Sequence, residues 1–177
     1  MIWDAKNAKA LEAFAGTYSL PGGCWAVLSL TRSPPKDAST LAAYPEGYRY
    51  TWAILAPGEP PSLRGHRMAG VDNSDDKHVR SQVNANPFLG KHRAHRHLPN
   101  WKDIQSVRGQ GWPVAGLGMQ LPSPPETPLA FWMLCMDCLE RTFSELGLGM
   151  PAEGQLFENH LSEQSFREIQ RELKSGL

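Results

Sequence analysis

Apolar runs and alternating apolar and polar positions predict β-strands in the first half of the chain. Residues 24–31 (CWAVLSLT) are apolar on both faces and predict a buried strand, which Pro34-Pro35 would end. Residues 48–55 (YRYTWAIL) place aromatic side chains on one face and predict the strongest strand of the chain. Two further strands are expected at 63–71 and at 77–84, where valine and serine alternate with larger polar side chains.

Helical spacing dominates the later part of the chain. Residues 127–146 repeat apolar side chains at helical spacing, so this segment predicts a central core helix. Amphipathic helices are expected at the two ends, over residues 4–15 and 163–174. Residues 86–125 are rich in Pro and Gly and predict mostly loop. The expected fold class is α+β: an antiparallel sheet of about four strands, with a central apolar helix and amphipathic terminal helices.

Length and charge predict how this fold is organised. The 177 residues suit a single domain, with a sheet-containing part at 1–125 and a helical part at 126–177. The net charge is zero, but residues 64–125 carry nine basic side chains against four acidic ones, and residues 126–177 carry four against nine. This asymmetry predicts either an anion-binding middle or two segments of one fold that attract each other.

The sequence predicts neither a membrane protein nor a secreted one. Met1-Ile2-Trp3-Asp4 lacks the basic and then apolar pattern of a secretory leader. The longest apolar run, residues 129–136, is too short to span a bilayer. Three cysteines, an odd number, favour a reducing compartment over a disulfide scaffold. We therefore expect a cytoplasmic protein.

Histidine is concentrated in the middle of the chain. Five of the six histidines fall between His66 and His97, and three of them lie in the segment 91–97 (KHRAHRH). Imidazole switches easily between acid, base and metal ligand near neutral pH, and the interleaved Lys and Arg favour anions such as phosphate. The segment predicts a functional site, with a solvated basic loop as the alternative.

Contact with RNA is the leading hypothesis for this segment. Cleavage of RNA without a metal needs a base, an acid and a cation on the phosphate, and histidine and arginine supply all three. The expected catalytic residues are His95 and His97, the expected phosphate ligands are Arg80, Lys91, Arg93 and Arg96, the expected base-stacking residue is Trp101, and further candidates are His78 and His92. The sequence therefore predicts an RNA-binding protein and, by extension, a ribonuclease that uses no metal or other cofactor.

Metal binding is a second use of the same histidines. Cys135 and Cys138 have the C-x-x-C spacing of zinc ligands and would complete a set with two imidazoles. Both fall inside an apolar helix, where positions three apart share a buried face, so a core role is favoured. The segment 72–76 (DNSDD) lacks the glycine and the glutamate of a calcium loop and predicts a turn. A metal-dependent enzyme with histidine ligands stays open as a weaker option.

The order of features from Tyr48 to Trp101 resembles that of RelE-like bacterial mRNA-interferase toxins. An aromatic strand is followed by more polar strands, by an Asn-Pro pair and by a short H-x-x-H-x-H segment that leads to a tryptophan. The matching positions are Asn86, Pro87, His95, His97 and Trp101. The resemblance implies a small antiparallel sheet flanked by helices and an activity directed at RNA.

A non-enzymatic role is the competing hypothesis. The helix at 129–146 is apolar almost all round in its first half, and the loop at 109–121 combines Trp, Pro and Gly with apolar side chains. Either segment would serve a small prokaryotic or phage interaction module that docks on a larger complex. The two hypotheses separate on geometry, because RNA contact requires the histidines and arginines of residues 78–97 to share one surface.

Overall fold

The computed structural model describes residues 5–32, 47–58, 66–74, 94–107, 109–158 and 160–162. Its helices are α1 (Ala5–Glu12), α2 (Pro128–Leu146) and α3 (Glu153–Glu158), with a short 3-10 turn at Pro21–Gly23. Its strands are β1 (Gly16–Ser19), β2 (Trp25–Arg32), β3 (Tyr48–Leu55), β4 (Arg67–Asp72), β5 (His95–His97), β6 (Pro99–Val107), β7 (Gln110–Ala115), β8 (Met119–Gln120) and β9 (His160–Ser162).

The described chain is mostly β. Seven strands form one antiparallel sheet in the order β8-β5-β4-β3-β2-β1-β9, and β6 pairs with β7 in a second sheet. Strand β9 returns beside β1, so the chain that follows α2 is tied to the first strand. The expected fold class, an α+β arrangement of about four strands with a central helix and helices at both ends, is wrong: the described residues alone form a seven-stranded sheet and a second sheet of two strands.

Six described strands are not predicted from the sequence: β1, β9, and β5 to β8, which lie in the segment 86–125 that the sequence predicts as loop. β5 and β8 have three and two residues, too few to show a period. β7 contains Gly111 and Pro113, which lower strand propensity, and Pro113 pairs with Ile104 at a register shift. β5 forms only by pairing with β4 and β8, which are distant from it in the sequence. Local composition therefore does not reveal these strands.

The longest periodic segments are predicted well. β3 has the predicted bounds, and β2 begins and ends one residue later than predicted. The strand predicted at 63–71 appears as β4. The strand predicted at 77–84 and the helix predicted at 163–174 lie outside the described residues.

Helix α2 is confirmed, and its ends have local causes. Thr127 is its N-cap, with a side-chain oxygen that accepts a hydrogen bond from the backbone N–H of Ala130 at 3.1 Å. Gly147 ends it in the left-handed conformation, with φ 66°.

No described helix is long and apolar enough to cross a bilayer.

Strand alternation gives the large sheet two faces with different roles. Helix α2 covers the face of Tyr50 and Trp52, and the Tyr50 and Phe131 rings lie 4.3 Å apart between centroids. The opposite face carries a small apolar cluster, which includes Val27 and Ala53, and next to it the polar side chains of β4 and β5. The candidate site lies on this second face.

Asn73 extends the pairing of β3 with β4 past the end of β4. Its side chain is buried, with Oδ1 accepting from the Tyr50 N–H at 2.9 Å and Nδ2 donating to the Tyr48 carbonyl at 2.8 Å. The amide group thus takes the place of one more residue of the strand and satisfies two backbone groups of β3.

We expect Asn73→Ala to lower the free energy of unfolding by about 2 kcal/mol or more, because each buried polar group left unsatisfied costs about 1–3 kcal/mol. Urea denaturation followed by circular dichroism measures this loss. Asn100→Ala is the matched control: the Asn100 side chain accepts one surface hydrogen bond from the Lys102 N–H, and we expect a change within about 0.5 kcal/mol. Equal losses in both variants would contradict this role of Asn73.

Candidate functional site

Strands β4 and β5 place polar side chains on the sheet face opposite α2. The register pairs Asp72 with His95 and Gly70 with His97, and paired residues direct their side chains to the same face. The H-x-H spacing of β5 brings both imidazoles to this face because successive side chains of a strand alternate. The rings lie 4.8 Å apart between centroids, at an interplanar angle of 77°.

The carboxylate of Asp72 is the centre of this group. Its Oδ1 accepts hydrogen bonds from the N–H of Ser74 at 3.1 Å and from the Ser74 hydroxyl at 2.6 Å, and lies 3.1 Å from His95 Nε2. Its Oδ2 accepts from Arg67 Nη2 at 2.9 Å and lies 3.6 Å from His97 Nε2. Arg67, Asp72, Ser74, His95 and His97 are called the Asp72 cluster below.

Asp72 is ionised in this environment. Burial by itself would raise its pKa, but the contact with His95, the Arg67 guanidinium and the Ser74 hydroxyl together lower the pKa of this carboxyl far below its usual range. Asp72, His95 and His97 are 2%, 1% and 5% exposed, so the charge of Asp72 lies in the protein interior. The cluster therefore contains a buried carboxylate between two imidazoles.

The main chain fixes the orientation of His97. Its Nδ1 lies 2.7 Å from the carbonyl oxygen of Gly116, and because a carbonyl only accepts, Nδ1 carries the hydrogen. Burial and the Arg67 charge lower the pKa of His97, which favours the neutral ring with its lone pair on Nε2. This lone pair faces Oδ2 of Asp72. Nε2 and Oδ2 are both electron-pair donors, the type of atom that binds a cation.

Gly116 is held beside β5 by its own backbone. Its N–H donates to the carbonyl of Leu98 at 2.8 Å, next to His97 in the chain. A Cβ at position 116 would lie 3.1 Å from that carbonyl oxygen, tighter than most side chains tolerate. The approach of the chain after β7 to the end of β5 therefore sets the hydrogen bond that orients the imidazole.

Gly70 makes room for the side chain of Arg67. The guanidinium crosses the strand at this point: Nε donates to the Ala69 carbonyl at 3.3 Å, and Nη2 reaches Asp72. A Cβ at position 70 would lie 2.8 Å from Arg67 Nε, and it would come closer still to Nη2 and to the carbonyl oxygen of Trp52. Glycine is the residue that lets the guanidinium reach the carboxylate here.

Three members of the cluster have the donor set of a metal centre. One atom each from Asp72, His95 and His97 lies within 4.8 Å of the others. Bonds of about 2.1 Å to one ion would place neighbouring ligand atoms roughly 3–3.5 Å apart. His95 Nε2 lies 3.1 Å from Oδ1 of Asp72, and His97 Nε2 lies 3.6 Å from Oδ2. Two imidazoles and a carboxylate bind catalytic zinc and non-haem iron(II). The Nδ1–H of His97 on a carbonyl is the outer contact that fixes a ligand's tautomer.

The structure brings together two of the residues predicted from the sequence, His95 and His97. Arg96, between them, points to the opposite face, where its Nη1 donates to Oδ2 of Asp137 on α2 at 3.0 Å. Trp101 lies on β6 in the second sheet and is 45% exposed. The remaining predicted site residues, and the Asn-Pro pair of the toxin resemblance, lie outside the described residues: His78, Arg80, Asn86, Pro87, Lys91, His92 and Arg93.

Sequence patterns do not identify Asp72, Arg67 or Ser74 as site residues. The segment 72–76 has the composition of a turn, and this hides the fact that Asp72 is the last residue of a buried strand. The signal that would find it is a carboxylate at the end of an apolar strand, combined with an H-x-H segment on a neighbouring strand.

Cys135 and Cys138 are core residues, as predicted. Both are buried. The Sγ atom of Cys138 lies 3.9 Å from the backbone carbonyl oxygen of His97. Burial raises the pKa of Cys138 to about 11. These thiols belong to the apolar packing of α2.

The two segments predicted as protein interfaces have different structures: one is the helix α2, and the other contains two strands. On α2, Leu129 and Met133 are 68% and 63% exposed and lie one helical turn apart. The segment 109–121, predicted as a loop, contains β7 and β8 instead. Binding of a partner at either place stays a prediction.

Comparison of the chain with known family models, with characterised proteins and with solved structures gives no match.

We expect Gly70→Ala to destabilise the protein by about 1–3 kcal/mol, because the added methyl group forces the guanidinium of Arg67 or the backbone of β3 to move. Chemical denaturation measures the effect. Gly149→Ala is the control, since a Cβ there meets no atom within 4 Å. A Gly70→Ala protein as stable as its control would show that this close approach is not needed.

Proposed function

We propose that this protein is a metalloprotein in which Asp72, His95 and His97 hold a divalent transition-metal ion, with zinc as the first candidate. The observation that supports the proposal is the placement of two imidazole nitrogens and one carboxylate within 4.8 Å of one another on one sheet face. Three protein ligands leave a coordination position open, as in catalytic zinc sites, whereas structural zinc sites use four protein ligands. Metal-assisted hydrolysis is the reaction class that we infer.

The two remaining members of the cluster, together with Gly116, orient the ligands. The Ser74 hydroxyl and the Arg67 guanidinium hold the Asp72 carboxylate, and the Gly116 carbonyl holds the His97 ring with Nε2 toward the site. These three are positioning residues. When bound, the ion would polarise an oxygen ligand and lower the pKa of a water molecule.

This proposal differs from the metal-independent ribonuclease predicted from the sequence. That mechanism requires His95, His97 and the charged group of Arg96 to lie on the same surface. The ion pair of Arg96 with Asp137 lies on the other face of the sheet. Action on RNA therefore stays a proposal, and its support now depends on whether the cluster binds phosphate.

A cytoplasmic location is part of the proposal. All three cysteines of the chain, Cys24, Cys135 and Cys138, are free thiols buried in the structure. A reducing compartment suits such thiols.

We expect the purified protein to bind one zinc ion. The variants His97→Gln and His95→Ala should each bind zinc more than about 100-fold more weakly. Loss of an outer contact of a metal ligand already lowers metal affinity about 10- to 100-fold, and these variants lose a ligand itself. Isothermal titration calorimetry measures the affinity, with circular dichroism to verify folding. The control is His160→Ala, because His160 lies on the edge strand β9, away from β4 and β5, where its ring contacts the carbonyl of Ala15. Zinc binding that is absent in the wild type, or unchanged in folded ligand variants, would refute the proposal.

Metal removal should also change stability. At a free zinc concentration of 100 times the dissociation constant, we expect the free energy of unfolding to rise by about 2.7 kcal/mol, and a chelator to reverse the rise. Magnesium, which prefers oxygen ligands, should have no such effect. Thermal denaturation of the wild type and of His97→Gln checks this, since the variant should not respond to zinc. An equal response from both proteins would place the zinc elsewhere.

A further inference from the structure

The charges of the Asp72 cluster do not balance once a metal ion binds. Without metal, the negative charge of Asp72 and the positive charge of Arg67 cancel across their 2.9 Å contact. A divalent ion between neutral imidazoles would leave two positive charges among ligands that are at most 5% exposed. Uncompensated charge inside a protein is unfavourable, so a loaded site would favour an anionic ligand.

The guanidinium of Arg67 presents a second edge for such an anion. Its Nε and Nη2 are turned toward the sheet, where they contact Ala69 and Asp72 and lie over Gly70. A guanidinium carries five N–H donors in one plane, so the edge that includes Nη1 is a different one from the edge that makes these contacts. The Arg67 side chain is also 25% exposed, against 2% for the carboxylate that it touches. Arg67 therefore connects the buried ligands to solvent.

We infer that the metal-loaded Asp72 cluster binds a phosphoryl group, with one oxygen on the ion and another on the Nη1 end of Arg67. The planar guanidinium matches the spacing of phosphate oxygens. A phosphate monoester or inorganic phosphate carries close to the two negative charges that the loaded site lacks, whereas a carboxylate or a phosphodiester carries one. The inference rests on the proposed function, because in the metal-free cluster Asp72 already neutralises Arg67.

Cobalt(II) tests this inference, because its visible absorption responds to changes in the ligands around it. The protein is first titrated with Co²⁺ and then with inorganic phosphate, against sodium chloride of equal ionic strength. We expect a saturable spectral change with phosphate and none with chloride. Arg67→Gln should bind Co²⁺ more weakly, because Arg67 holds the Asp72 carboxylate. At a Co²⁺ concentration that saturates the variant, it should bind phosphate about 10- to 100-fold more weakly than the wild type, as expected for loss of a hydrogen bond to a charged group. Arg141→Gln is the control, since Arg141 pairs with Asp137 on α2.

Two RNA competitors test which kind of phosphoryl group the site binds. A short single-stranded RNA with a 5′-phosphate should compete with inorganic phosphate, and the same RNA with a 5′-hydroxyl should compete more weakly. Equal competition by the two RNAs would overturn the preference for a monoester and favour the internal phosphodiester.

The failures of the two proposals are distinguishable. Absence of a Co²⁺ spectrum before phosphate is added would refute the metal centre and the inference with it. A normal Co²⁺ spectrum that does not respond to phosphate would overturn the phosphoryl site alone. Equal phosphate affinity of Arg67→Gln and the wild type would remove Arg67 from that site.

Discussion

The buried carboxylate of Asp72 is the feature on which the rest of the site depends. A charge removed from water is tolerated only where close partners compensate for it, and Asp72 has a guanidinium, a hydroxyl and a backbone N–H within hydrogen-bond distance. These partners come from β4 and from the turn after it, whereas the imidazoles come from β5. The carboxylate thus joins two strands that about twenty residues of chain separate, and it keeps Arg67 extended across Gly70.

The alternation of β5 explains how a three-residue strand serves two purposes. His95 and His97 face the carboxylate, and Arg96 between them reaches the helix through Asp137. The ion pair fixes β5 against α2 from one side, and the hydrogen bond to Gly116 fixes His97 from the other. A one-residue shift of register would exchange the two faces and would remove both arrangements.

The sequence predicts the parts of this molecule whose signal is local and long. β3 and α2 are predicted well because eight or more residues repeat one period, and His95 and His97 are found because of their residue type. Asp72 is not found, because its role depends on the pairing of β4 with β5, which no local pattern encodes. Arg96 is grouped with the histidines because it lies between them, although in a strand adjacent side chains point apart.

X-ray absorption at the zinc edge tests the central claim most directly, because it reports the atoms bound to the ion. For zinc bound to the purified protein, the account predicts nitrogen and oxygen ligands at about 2.0–2.2 Å, two of them imidazoles, and no sulfur shell near about 2.3 Å. His97→Gln, which should bind zinc more than about 100-fold more weakly, should not give this spectrum. A sulfur shell, or an unchanged spectrum after that replacement, would contradict a centre built on Asp72, His95 and His97.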